Sequence, residues 1–168
     1  MLSAILAGCV ISGCGTDLSR EGERVVRAYC EAVVDAYRTG NADVVRPVAT
    51  EKEWRKIFAL IDLKRAEGMV LESELESLAI EDVAQPSPGL MTVVASERWR
   101  YFDRPIEIGQ PPGTEFLVEM ELLYTFVDVD GAWKMDQAIT RHHEYIEPKG
   151  YLPPEHRPHG SEPGSDRP

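Results

Sequence analysis

Glu97 is the residue whose type and setting could do chemistry. It falls in the run Val93, Ala95, Glu97, Trp99 and Tyr101, where alternate residues share one face of a strand. A carboxyl on an apolar face has its charged form disfavoured, which raises its pKa toward that of a useful general acid or base. Tyr101 lies on the same face, and Asp136 and Tyr124 stand on strands expected to be neighbours. The catalytic candidates are therefore Glu97, Tyr101 and Asp136, and the chemistry is proton transfer. The competing reading turns Glu97 to solvent or pairs it with Arg98 or Arg100. No catalytic set follows from the residues alone, and the balance leans away from an enzyme.

A second group is aromatic. Trp99, Tyr124 and Trp133 are the candidates for lining a ligand pocket, and Trp54, Trp99 and Trp133 could form an aromatic cage. At core spacing such residues are more often core. His142, His143 and Glu144, followed by His156 and His159, match no metal-ligand spacing. Asp128-Val129-Asp130-Gly131 begins like a calcium loop but lacks its remaining ligands, and reads as a hairpin turn. With no phosphate-cradling glycine loop and no zinc spacing, neither a metal nor a cofactor is expected.

The cysteines carry a different message. Leu2 to Gly13 is an apolar stretch well short of the roughly 20 residues that a spanning helix needs. It reads as the apolar part of an export signal. Ile11-Ser12-Gly13-Cys14 resembles a bacterial lipobox, with Leu6-Ala7-Gly8-Cys9 as the alternative. Cys14 is favoured because polar sequence begins just after it. Met1 to Ile5 lacks the usual Lys or Arg, so the signal reads as truncated. Lipidation would anchor the chain to a membrane on the periplasmic side, the outer membrane if the cell has two. Cys30 lies among Val26, Val33 and Val34 and reads as a buried, inert thiol.

These groups must be positioned by the elements between them. Val26, Cys30, Val33 and Tyr37 recur at helical spacing, which predicts a helix over Ser19 to Thr39, stopped by Gly40 and Asn41. A short helix over Ala42 to Arg46 follows. Thr50 and Glu53 form a capping-box pattern that opens a third helix bearing Trp54, Ile57, Phe58, Leu60 and Ile61. After Gly68 the period becomes that of strands: about Glu74 to Val83, Met91 to Phe102, Glu115 to Val129, and Ala132 to about Thr140. Gln85 to Gly89 reads as a turn, and Asp130-Gly131 as a tight hairpin. From Glu147 onward nine of 22 residues are Pro or Gly, which predicts a disordered tail.

The 168 residues carry 18 Lys and Arg against 29 Asp and Glu, a formal net charge of −11 that repels a phosphate backbone and argues against nucleic acid. Seven acidic residues and no Lys or Arg fall between Glu67 and Glu97, which reads first as a solvated acidic face and otherwise as a docking face for a basic partner or a cation.

The order of helices, then Glu97-Arg98-Trp99-Arg100-Tyr101, Tyr124-Thr125-Phe126 and Trp133-Lys134-Met135, resembles the nuclear-transport-factor-two-like superfamily. That superfamily includes ketosteroid isomerase and scytalone dehydratase. The same pattern resembles the intermembrane-space domain of plastid-division proteins. The resemblance implies an α+β fold of cystatin-like type, with N-terminal helices on a curved, cone-shaped antiparallel sheet of about four strands. It further implies a cavity that some members use for catalysis and others for binding or assembly.

The expectation is therefore a signal peptide over 1–13, an anchor and linker over 14–18, one domain over 19–146 and a tail over 147–168. The expected role is a membrane-anchored lipoprotein of the cell envelope with a non-catalytic binding or assembly domain, its partner a protein or a small apolar ligand. The alternative is a small isomerase- or dehydratase-like enzyme using Glu97.

Overall fold

A computed structural model describes residues 14–146. The leader, Cys9, the tail, His156 and His159 lie outside the described residues. The elements follow the order helix α1 (Cys14–Thr39), a 3-10 turn (Ala42–Val45), helix α2 (Glu51–Ala66) and strands β1 (Met69–Ser87), β2 (Leu90–Pro105), β3 (Phe116–Val129) and β4 (Ala132–Ile146).

Helix α1 starts five residues before the expected Ser19. It buries Val25, Val26, Tyr29, Cys30, Val33 and Ala36. Gly40, at φ +68°, ends it in the left-handed region where glycine carries no Cβ penalty. Helix α2 buries Ile57 and Ile61, whereas Phe58 is 46% exposed and stacks on Trp54. The capping box at its start does not form. Thr50 is the N-cap, but its hydroxyl donates across to Asp136 at 3.0 Å, and the Glu53 carboxylate accepts instead from Tyr29 and Lys56.

The four strands form an antiparallel meander, β1-β2-β3-β4. Asp130 and Gly131 both have positive φ, as a type I′ hairpin requires. The expected curved, cone-shaped sheet is corrected here: the sheet stays open, and β1 and β4 are its two edges rather than partners. Four strands are too few to wrap around an interior, since a barrel wide enough to hold side chains takes about eight. The apolar face is covered by the helices instead. Strand β4 meets the helical layer at Met135, whose backbone exchanges hydrogen bonds with Val48 and Thr50 at 2.8 Å.

Strand β1 runs well beyond the expected Glu74 to Val83 and takes in Pro86. Its pairing with β2 slips at Leu75/Ser77, Ile80/Asp82 and Ala84/Ser87. Each slip interrupts the alternation that a sequence reading follows, and a proline is tolerated at such an irregularity on an edge strand. The turn shrinks to Pro88-Gly89.

The inner face divides into two halves. Met91, Val93, Ala95, Phe126 and Met135 are fully buried and form the packed half. Here α1 approaches β1 closely at Gly22: a Cβ on that residue would stand 2.7 Å from Val83 Cγ2. Gly22→Val is expected to lower stability by about 2 kcal/mol, because overpacking outweighs the gain in helix propensity. A urea titration checks this, and a neutral outcome would show that α1 can shift off the sheet.

Candidate functional site

The other half of the inner face is not filled. Between α1, α2 and the sheet lies a cavity of about 560 Å³. Its walls include Tyr29, Val33 and Tyr37 from α1, Leu60 and Lys64 from α2, Trp99 and Tyr101 from β2, and Met120, Leu122 and Tyr124 from β3. Tyr101 stacks on Phe116 with ring centroids 5.6 Å apart. This volume is within the range of small-molecule sites, and the lining is predominantly apolar and aromatic.

Glu97 lies on the cavity wall and is 3% exposed. The alternation along β2 turns it inward, opposite Met120 on β3 and Leu78 on β1. Both carboxylate oxygens are engaged. Tyr124 donates to Oε1 at 2.6 Å, the Trp99 indole donates to Oε2 at 2.6 Å, and Cys30 Sγ stands 3.8 Å from Oε1. Burial raises the Glu97 pKa above its ordinary value, while the hydrogen bonds from Tyr124, Trp99 and Cys30 oppose that rise. Burial also pushes the Tyr124 hydroxyl and the Cys30 thiol well above their ordinary ranges, so both stay protonated at neutral pH. Cys30 is a free, buried thiol with no thiolate character.

A second buried carboxylate adjoins this group. Glu53, 5% exposed, accepts from Tyr29 at 2.8 Å and from Lys56 at 2.7 Å. The Tyr29 ring meets Tyr124 edge-on at 6.2 Å. Burial raises the Tyr37 hydroxyl to about 12. Two hydrogen-bonded clusters thus sit side by side where α1 crosses the sheet.

The candidates from the sequence do not all meet. Glu97, Trp99, Tyr101 and Tyr124 share the cavity wall. Asp136 does not: it receives Thr50 Oγ1 at 3.0 Å and Lys52 Nζ at 2.9 Å, which hold its carboxyl below the ordinary range. A register slip at Thr125/Phe126 sets this stretch of β4 apart from its expected alignment. Trp133 pairs with Asp128 beside the hairpin and packs on the filled half. His143 meets Tyr145 edge-on, and among the described residues no group of three or more His, Cys, Asp or Glu could hold a metal ion. Part of the acidic run on β1 is matched by β2: Arg98 and Arg100 pair with Glu76, and Arg104 pairs with Glu72.

Sequence reasoning missed Tyr29, Lys64 and Asp103. Tyr29 lies three residues after Val26 and so shares the buried face of α1, and Asp103 continues the inward series 97, 99, 101 by one step. Lys64 gave no such signal, because its role depends on how α2 lies over the sheet.

No family model matches the chain, and no curated protein matches it in sequence. Solved structures do. The intermembrane-space region of the chloroplast protein ARC6 superposes with a TM-score of 0.64 at 12% identity, over 73% of this chain and 95% of that one. A conserved protein from Planctomyces limnophilus gives 0.47 at 12%, covering 72% and 98%. A protein with a cystatin-like fold from Caulobacter vibrioides gives 0.45 at 13%, covering 76% and 92%. The chain shares the small α+β fold of that ARC6 region, N-terminal helices on a four-stranded antiparallel sheet. At these identities the likeness is one of fold. Among the described residues no helix is long and apolar enough to cross a membrane.

Proposed function

We propose that the chain is a binding protein of the cell envelope, lipid-anchored through Cys14 on the periplasmic side, whose domain holds a small, largely apolar ligand. The cavity of about 560 Å³ carries this reading. Leaving that half of the inner face unfilled sacrifices the packing that the other half enjoys, and a bound apolar molecule would restore it. The anchor follows from the lipobox-like Ile11-Ser12-Gly13-Cys14 and the short apolar stretch before it.

A binding role is favoured over catalysis because Glu97 is already engaged at both oxygens, by Tyr124 and Trp99. A general base must reach its substrate's proton within hydrogen-bond distance, and here the two candidate proton-transfer groups hold each other. The cluster then serves as a polar floor that fixes the shape of an apolar chamber.

The test is a fluorescence titration with N-phenyl-1-naphthylamine, an apolar probe. Saturable one-site binding is expected. Ala138→Trp, which fills the chamber from β4, is expected to weaken it by at least about tenfold, and Glu97→Gln to change it by no more than about threefold. Binding that ignores Ala138→Trp would place the probe elsewhere and overturn the reading.

A further inference from the structure

Beyond the hydrogen-bonded Glu97 cluster, two polar atoms on the wall of the largely apolar cavity stand out. Ser73 Oγ on β1 and Asp103 Oδ1 on β2 are both buried, both belong to residues on the cavity wall, and neither has a hydrogen-bond partner. Their backgrounds differ. Asp103 spends its other oxygen on Lys64 Nζ of α2 at 2.7 Å, so its charge is balanced while Oδ1 remains open. Ser73 faces Tyr101 across the strands, and Asp103 faces Leu71, two residues along. The pair is therefore a diagonal neighbour pair on one face, with Cα atoms about 7 Å apart. Buried polar groups are normally satisfied, and each that is not costs stability.

The geometry points to a hydroxyl-recognition subsite: the ligand is an apolar molecule bearing a hydroxyl at one end, which donates to Asp103 Oδ1 and accepts from the Ser73 hydroxyl. This deepens the proposed function and rests on the cavity being a ligand site. A hydroxyl is the group that fits, because it is donor and acceptor in one atom and so complements an acceptor and a donor that neighbour each other on one wall. An ammonium could donate to both Asp103 and Ser73, but it would meet the Lys64 charge that already balances the carboxylate. A carboxylate ligand would face Asp103 with like charge. The remainder of the ligand would extend past Tyr101 toward Trp99.

The test compares 2-naphthol with 2-methoxynaphthalene, which keeps the ring system but cannot donate. The ether is the more apolar of the two, so any preference for the naphthol measures the polar end. The whole chain is expected to bind 2-naphthol about tenfold more tightly, the range for a hydrogen bond to a charged acceptor. Asp103→Asn is expected to shrink that preference to about threefold or less, because only the naphthol donates to Asp103, whereas Ser73→Ala is expected to weaken both probes, since the ether oxygen can also accept from Ser73. Equal affinity of the unaltered chain for both probes would overturn the subsite and leave the apolar cavity standing, the two atoms then being held by water alone. Failure of both probes to bind would overturn the cavity reading itself.

Discussion

Glu97→Ala is expected to lower the stability of the domain by about 3 kcal/mol, and its melting temperature by about 10 °C. The substitution removes the acceptor of two buried donors, the Tyr124 hydroxyl and the Trp99 indole N–H, each at 2.6 Å. A buried donor left without a partner costs about 1–3 kcal/mol, and the lost side chain also leaves a void. Glu97→Gln keeps one acceptor and is expected to cost about half as much. Urea titrations of the three chains measure the difference, and an Ala variant as stable as wild type would show that the cluster relaxes freely.

The same residue makes stability depend on pH, with a definite sign. The Glu97 pKa is raised on folding above its ordinary value of 4.5, chiefly by burial. The folded chain therefore holds a proton that the unfolded chain has released, and folding is favoured by acid at this site. Its contribution is complete below pH 4.5 and is lost as pH rises through the raised value. In that window the Glu97 share of the slope is at most about 1.4 kcal/mol per pH unit. Subtracting the profile of Glu97→Gln from that of wild type isolates it, and a difference of opposite sign would mean that the hydrogen bonds outweigh burial.

Phe126→Ala is expected to have the largest effect of a single core substitution, about 4 kcal/mol. Phe126 is 1% exposed, lies beside Tyr124 with ring centroids 6.1 Å apart, and pairs with Met91 and Met135 across the two neighbouring strands. All three sit in the packed half, where nothing can move in to replace a ring. The loss appears in a denaturant midpoint. Below its melting temperature the variant is expected to bind the naphthylamine probe as wild type does, because the chamber occupies the other half. A loss of binding equal to the loss of stability would show that the two halves act as one.

What could be read from the sequence and what could not divide along a physical line. Strict alternation survives in β2 and β3, the two central strands, and there the inward set from Val93 to Tyr101 and from Phe116 to Phe126 is legible. Helix α1 is legible for the same reason, its buried positions repeating at helical spacing. Strand β1 is not, because its three register slips break the period, and its proline looks like a terminator until the strand is known to be an edge. The open form of the sheet was hidden as well: strand count is local information, whereas closure depends on whether β1 meets β4. Thr50 and Glu53 show the limit of short motifs. Both matched a helix cap, and both were drawn away by groups distant in sequence, Asp136 and Tyr29, which no local pattern anticipates. The Glu97 cluster was half legible. Its strand and its face could be seen, but its partner Cys30 lies 67 positions earlier on another element.

An open sheet has a liability that a closed one lacks. An exposed strand border is a template on which another chain can add, and repeated addition builds fibrils. Strand β1, 19 residues long, would be an inviting template if it were flat and neutral. It is neither. Its slips bend the ladder, Pro86 withholds a donor, and Glu74, Glu81 and Asp82 set negative charges along it beyond the Glu72 and Glu76 that pair with β2 arginines, so that a second copy arriving edge to edge would meet its own repulsion. The irregularities that made β1 hard to read are also what oppose the edge-to-edge addition of one copy of the domain to another.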